Sequence, residues 1–202
     1  MKEFNIVLAG VGGQGTLLAA EALGTAAVKD DLNVRVGEIH GMAQRGGAVI
    51  STVRIGEDVL ASTVLEGRAD ILIGFEPIET LRSLKYASEG TFVIMSTERV
   101  PPVELAVRKA AYPSIDEIVE KIRRFTENVI LVDTERLAKE AGSSLTRNVV
   151  LLGVAAGTGK LPVTKDSLLE AVRDLVPPKH LKVNLRAFEL GFHSLSKKGT
   201  DS

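Results

Sequence analysis

The chain has 202 residues, of which 45% are hydrophobic and 25% are charged, a balance typical of a globular protein with one buried core. Its net charge of -1, with no block of like charges, argues against a nucleic-acid or membrane partner. The absence of cysteine excludes disulfides, thiolate nucleophiles and cysteine-ligated clusters. Because the sequence shows neither a signal-peptide pattern nor an apolar run of about 20 residues, we expect a cytoplasmic protein.

A glycine-rich turn stands between a predicted strand, residues 4–9, and a predicted helix, residues 14–29. The turn reads Gly10-Val11-Gly12-Gly13-Gln14-Gly15. In this context the Gly-x-Gly-x-x-Gly pattern is typical of a phosphate site at a helix N-terminus. Gly10 would permit the tight turn, Gly12 the close approach of a phosphate, and Gly15 close packing of the helix on its strand. The alternative is a turn that only closes a βα unit, and the motif alone favours neither.

A second glycine-rich loop follows the next predicted strand, residues 33–39. It reads His40-Gly41-Met42-Ala43-Gln44-Arg45-Gly46-Gly47. Arg45 is suited to gripping a phosphate or carboxylate, or to a surface salt bridge. His40 could act as an acid or base, although a structural role is the commoner one for a loop histidine without a visible partner. Glu38 stands near the position of a ribose-binding acid, but a strand-end carboxylate more often pairs locally.

The remaining elements alternate between strands and helices. Strands are predicted at residues 48–55, 69–75, 91–95 and 129–132. Helices are predicted at residues 77–84, 134–141, 145–158, 164–175 and 179–195. A further helix begins at the capping box of Ser114 and Glu117. A turn at residues 56–58 indicates a β-hairpin. The pattern predicts a three-layer, Rossmann-like α/β fold whose sheet is mainly parallel but mixed. We expect a single domain, residues 1–195, followed by a polar tail, residues 196–202.

The predicted helix at residues 145–158 carries Arg147 as its only charge. Such a helix is normally buried on most sides. It therefore lies either deep in the core or under another subunit, and we favour the subunit.

Several kinds of chemistry find no support in the sequence. Gly157-Thr158-Gly159-Lys160 fails as a P-loop, because Val154 replaces its first glycine and Leu161 its Ser or Thr. The three histidines are far apart and show no metal-ligand spacing, and no Gly-x-Ser-x-Gly elbow occurs. The residues therefore predict a binding fold without visible catalytic equipment.

The two glycine-rich segments, together with Asn184-Leu185-Arg186-Ala187-Phe188-Glu189-Leu190-Gly191, resemble the gamma-type subunit of 2-oxoacid:ferredoxin oxidoreductases. The resemblance extends over residues 2–193. It implies a heteromeric enzyme that oxidatively decarboxylates an aryl 2-oxoacid to an aryl-acetyl-CoA and passes the electrons to ferredoxin. It also implies that thiamine diphosphate, Mg and iron–sulfur clusters lie on a large partner subunit, with no cofactor held by this chain alone.

The resemblance transfers no catalytic residue to this chain. From local chemistry, the candidate binding residues are Gly10, Gly12, Gly13, Gln14, Gly15, His40, Arg45, Gly46 and Gly47. The two segments should meet at the carboxyl edge of the sheet and bind an anion, either coenzyme A phosphates or the thiamine diphosphate region of the partner. Two alternatives remain open at this point: a free-standing NAD(P)- or FAD-dependent enzyme, and a scaffold whose glycine turn binds nothing.

Overall fold

The computed structural model describes residues 1–40, 46–101 and 111–195, with the side chain of His40 left out. Arg45 and the predicted polar tail, residues 196–202, lie outside the described residues. The strands are β1 Phe4–Val11, β2 Val34–His40, β3 Ala48–Ile55, β4 Ile71–Gly74, β5 Phe92–Ser96 and β6 Val129–Val132. The described α-helices are α1 Thr16–Lys29, α2 Pro77–Arg82, α3 Ile115–Arg123, α4 Thr134–Ala141, α5 Arg147–Gly157, α6 Lys165–Leu175 and α7 Leu181–His193.

The six strands form one mixed sheet in the order β2-β3-β1-β4-β5-β6. Strands β1, β4, β5 and β6 run parallel, and β3 is antiparallel to both β1 and β2. The mixed α/β fold predicted from the sequence is confirmed. The turn at residues 56–58 follows β3, but the chain after it, around Val59, forms no strand. The antiparallel partners of β3 are instead β1 and β2.

Helices cover the sheet on both faces, which explains why its central strands are continuously apolar. Alternate residues of β1 enter different cores: Ile6 and Leu8 pack under α1 and α4–α7, whereas Val7 and Ala9 pack under α2 and α3. These four side chains are completely buried. The arrangement is the expected three-layer sandwich, with its central strands shielded from water.

The apolar helix α5 is buried within the chain itself. Gly153 touches α7 so closely that a Cβ there would lie 2.1 Å from the carbonyl oxygen of Phe188. Val149 and Leu151, on nearly opposite sides of α5, are at most 1% exposed. The prediction that another subunit covers this helix is therefore wrong, because α7 and the remaining helices of that layer cover it. Leu145, just before the helix, is 84% exposed.

Candidate functional site

The sheet contains a topological switch point between β1 and β4. From β1 the chain continues to β2 and β3 on one side, whereas β4 leads to β5 and β6 on the other. In open α/β sheets, ligands enter the crevice that such a switch opens at the carboxyl ends of the strands. A cavity of about 270 Å³ lies there, between the glycine turn after β1 and the segments that follow β4, β5 and β6.

Gln14 links the ends of β1 and β4 beside this cavity. Its Oε1 accepts a hydrogen bond from the Val11 backbone at 2.8 Å, and its Nε2 donates to the carbonyl oxygen of Phe75 at 3.1 Å. Both ends of the amide are thus used within the protein. Gln14 was predicted to bind a cofactor, and the structure gives it the task of fixing the turn to the end of β4.

Gly10 and Gly15 are required by space and by backbone conformation. A Cβ on Gly10 would lie 2.9 Å from Gln14, Phe75 and Thr16 atoms alike. Gly15 has φ 79° and faces Asn148 of α5, whose Nδ2 would lie 2.6 Å from an added Cβ. The sequence predicted that Gly15 allows helix-to-strand packing; the observed neighbour is a helix of the same layer.

The two glycine-rich segments converge, as the sequence predicted. The Gly12 backbone N–H donates to the carbonyl oxygen of Gly47 at 2.9 Å, which joins the turn to the residue before β3. That bond occupies the Gly12 N–H within the protein, while the role of Gly12 in binding stays a prediction. Gly13, with φ 101°, is exposed and has no atom within 4 Å of an added Cβ, so it faces open space in the cavity wall.

The other predicted residues of the second loop are only partly placed. His40 is the last residue of β2 and pairs in register with Val49, which puts its backbone at the carboxyl end of that strand. Gly46 adopts φ 76° directly before Gly47. Residues 41–45, including Arg45, lie outside the described residues. Glu38 lies within β2 opposite Ser51 and does not line the cavity.

The far wall of the cavity carries an ion pair that the sequence analysis did not assign to the site. Arg147 Nε lies 2.7 Å from Glu98 Oε2, and the two side chains are 34% and 15% exposed. The Nε–H has no hydrogen-bond partner, so the contact is one of charge rather than an aligned hydrogen bond. Burial raises the pKa of Glu98, and the positive charge of Arg147 only partly opposes this effect.

Hydroxyl groups and apolar side chains complete the lining. The hydroxyls belong to Thr134 at the start of α4 and to Ser144, and the apolar side chains are Phe75, Val100, Leu145 and Leu151. Thr134 Oγ1 lies 2.6 Å from Ser96 Oγ, and that hydroxyl accepts from the Glu98 backbone at 3.1 Å. This network fixes the backbone that presents Glu98.

A buried carboxylate supports the same wall from behind. Glu76 is completely buried, caps α2 by accepting from the Glu79 backbone at 2.9 Å, and accepts a short hydrogen bond from the Tyr112 hydroxyl. Burial raises the pKa of Glu76, and burial beside this carboxylate raises the pKa of Tyr112. Glu76 therefore ties the segments after β4 and β5 together.

Arg147 and Glu98 were missed because their pairing depends on the order of the strands in the sheet. One signal was present in the sequence: Arg147 is the single charge in a long apolar stretch. A lone cation at the start of a buried helix indicates a polar neighbour at that helix end, but it does not identify the neighbour.

The described part of the chain contains no group of three His, Cys, Asp or Glu side chains that could hold a metal ion. Across residues 1–40, 46–101 and 111–195, none of the helices combines the length and hydrophobicity needed to span a bilayer. The site therefore consists of backbone, hydroxyl, amide and ion-pair groups around a small cavity.

Comparison with known proteins identifies the family. Residues 5–194 match the family described as pyruvate ferredoxin/flavodoxin oxidoreductase. The chain is 47% identical to indolepyruvate oxidoreductase subunit IorB of Thermococcus kodakarensis and 46% identical to that of Pyrococcus horikoshii, in each case over 95% of both chains. It resembles the crystal structure of a keto/oxoacid ferredoxin oxidoreductase gamma subunit from Geobacter sulfurreducens, with TM-score 0.69 and 22% identity over 96% of this chain and 99% of that one. The resemblance found in the glycine-rich segments is thus confirmed, and the chain belongs to the pyruvate ferredoxin/flavodoxin oxidoreductase family.

Proposed function

We propose that this chain is the small subunit of an indolepyruvate:ferredoxin oxidoreductase. The complex would oxidatively decarboxylate indolepyruvate, an aryl 2-oxoacid, to the aryl-acetyl-CoA and reduce ferredoxin. The observation that carries the proposal is the 47% identity over nearly the full length of a relative with that name. The cytoplasmic location predicted from the sequence is part of the same proposal.

The thiamine diphosphate, magnesium and iron–sulfur clusters of such an enzyme would reside on a large partner subunit. The residues of this chain do not fit them: the sequence has no cysteine for clusters, and the described residues hold no metal-ligand group. This chain would instead complete the assembly and shape the region where coenzyme A enters.

The two glycine-rich segments supply the groups for coenzyme A in this proposal. The Gly12–Gly47 hydrogen bond brings the segments together, and the exposed Gly13 leaves a backbone surface open at the cavity. Arg45, within the second of these segments, would add a positive charge for a phosphate. The cavity of about 270 Å³ is slightly smaller than the roughly 300–1,000 Å³ of pockets for drug-sized ligands, so it suits one end of coenzyme A rather than the whole molecule.

A substrate panel tests the proposed activity. The chain would be produced together with a thiamine-dependent large subunit from the same organism, the complex purified, and ferredoxin reduction followed with indolepyruvate, pyruvate and 2-oxoglutarate in the presence of coenzyme A. We expect indolepyruvate to give the highest kcat/KM. A complex that prefers pyruvate or 2-oxoglutarate would contradict the substrate, and failure of the two chains to associate would contradict the assembly.

A further inference from the structure

The cavity at the switch point contains a guanidinium group with hydrogen-bond donors to spare. Arg147 forms an ion pair with Glu98, and its charge also acts on Glu135. The contact with Glu98 uses the Nε side of the guanidinium without satisfying its N–H. Arginine has five N–H donors in a planar fork. The described structure shows no protein acceptor for the two terminal nitrogens of Arg147, and about a third of the side chain is open to solvent.

The groups around Arg147 are those of a binding site rather than of a surface ion pair. Thr134 and Ser144 line the same cavity, and the exposed Gly13 stands in its wall. Phe75 and Leu151, at most 3% exposed, supply rigid apolar surface behind them. A concave site with apolar walls and a few converging polar groups at a sheet switch point is the usual form of a small-molecule pocket.

We propose that this cavity is a receptor for an anionic group, a carboxylate or a phosphate, which binds to the terminal nitrogens of Arg147 while Glu98 takes up a proton. A planar guanidinium and a carboxylate or phosphate form paired, charge-assisted hydrogen bonds. The inference rests on the proposed function only in assigning the anion to a ligand of the complex. The site itself follows from the geometry of this chain.

Glu98 must change its protonation state because two anions cannot share one guanidinium at low cost. Its carboxyl group is mostly buried, which already favours the neutral form. The other charged groups that act on it are Glu135, Lys139 and Asp133. Glu135 is held as a carboxylate by Lys139, whose Nζ lies 2.5 Å away and lowers the pKa of Glu135. Glu98 is therefore the group whose charge responds to an incoming anion.

The proposal makes binding depend on pH with a definite sign. Below the pKa of Glu98 the neutral acid no longer repels the ligand, so affinity should rise as the pH falls toward that pKa and level off beneath it. The substitution Glu98→Gln imitates the protonated form. It should tighten anion binding at neutral pH, on the order of tenfold, and remove the pH dependence. Arg147→Gln should weaken binding about tenfold or more.

Titration calorimetry on the full chain tests the proposal with two probes, inorganic pyrophosphate and phenylacetate, at matched ionic strength. The pH series uses phenylacetate between about pH 5.5 and 8, where a free carboxylic acid remains ionised. Arg136→Gln is the matched control, since this exposed arginine lies on α4 and does not line the cavity. Preference for one probe tells whether the natural ligand presents a phosphate or a carboxylate.

Binding of at least one probe that is lost in Arg147→Gln, tightened in Glu98→Gln and unchanged in Arg136→Gln supports the receptor. No binding of either probe, or binding that Glu98→Gln leaves unchanged, overturns it. If Arg147→Gln does not fold, Arg147→Lys and Glu98→Gln decide, because the lysine keeps the charge and loses the fork. Turnover by the complex is a separate readout, so the receptor can fail while the proposed function stands.

Discussion

At the scale of single residues, the glycine turn has a structural task that its sequence motif does not reveal. Gln14 bridges β1 and the end of β4, and Gly12 bridges to Gly47, so the turn is held by internal hydrogen bonds. Gly13 is the residue of the turn that stays open to the cavity. The motif therefore builds the crevice, while the ion pair of Glu98 and Arg147 gives the crevice its charge.

Gly15→Ala should destabilise the chain. An alanine would adopt the left-handed conformation at φ 79° and would also push against Asn148. We expect a loss of about 1–2 kcal/mol in the free energy of unfolding, measured by chemical denaturation. Gly90→Ala is the control, because its Cβ would meet no atom within 4 Å. Equal stability of the two variants would show that Gly15 is not constrained in this way.

Arg45→Ala in the assembled enzyme should raise the KM for coenzyme A or lower kcat, with the complex intact. The reason is the loss of a charge proposed to face a phosphate. Steady-state kinetics at varied coenzyme A measure the effect. Arg35→Ala, which removes an exposed arginine on β2, is the control. Unchanged kinetics in Arg45→Ala would make Arg45 a surface charge with no part in the site.

Among the helices and strands, α5 shows that a hydrophobic pattern predicts burial but does not identify the covering surface. The pattern correctly predicted a helix buried on most sides, but it could not tell which surface covers it. Gly153 packs on the backbone of Phe188 in α7, a contact between elements far apart in the chain. Local signals performed better: the capping box of Ser114 and Glu117 is present, and β3, β6 and α4 have the predicted bounds.

The site was less predictable than the fold because it, too, depends on contacts between elements that are far apart in the chain. The glycine-rich segments could be found from the sequence because a turn is specified by adjacent residues. Their convergence could be predicted because the strands before them, β1 and β2, run in the same direction. Glu98 and Arg147 come together only once β5 and α5 are placed on the sheet. Glu76 and Tyr112, likewise, join segments whose proximity depends on the order of β4 and β5.

Gly153→Leu should lower the stability of the chain rather than selectively weaken its association with a partner. A side chain there would collide with backbone atoms of α7, and overpacking of this kind costs about 1–3 kcal/mol or more. Melting temperature and co-purification are measured together. Leu145→Ser, at an 84% exposed position, should leave the melting temperature unchanged. A stable Gly153→Leu chain that fails to associate would restore the interface interpretation.

The chain as a whole folds as three layers with a crevice at the carboxyl edge of its sheet, and its sequence has no cysteine for redox clusters. It matches a family of oxidoreductases over nearly its full length. We propose that the redox chemistry of the complex resides on another subunit. The isolated chain should show no visible cofactor absorbance and no ferredoxin reduction with indolepyruvate, as measured by spectroscopy and assay of the purified protein.

Reconstitution from separate subunits tests whether this chain is the small subunit of the enzyme. The thiamine-dependent subunit, purified alone, is assayed for indolepyruvate-dependent reduction of ferredoxin before and after addition of this chain, with coenzyme A present in both cases. We expect activity to be absent or low in either subunit alone and to appear when they are combined in a stable complex. Full activity of the large subunit without this chain, or turnover of indolepyruvate by this chain alone, would contradict its assignment as the small subunit of the enzyme.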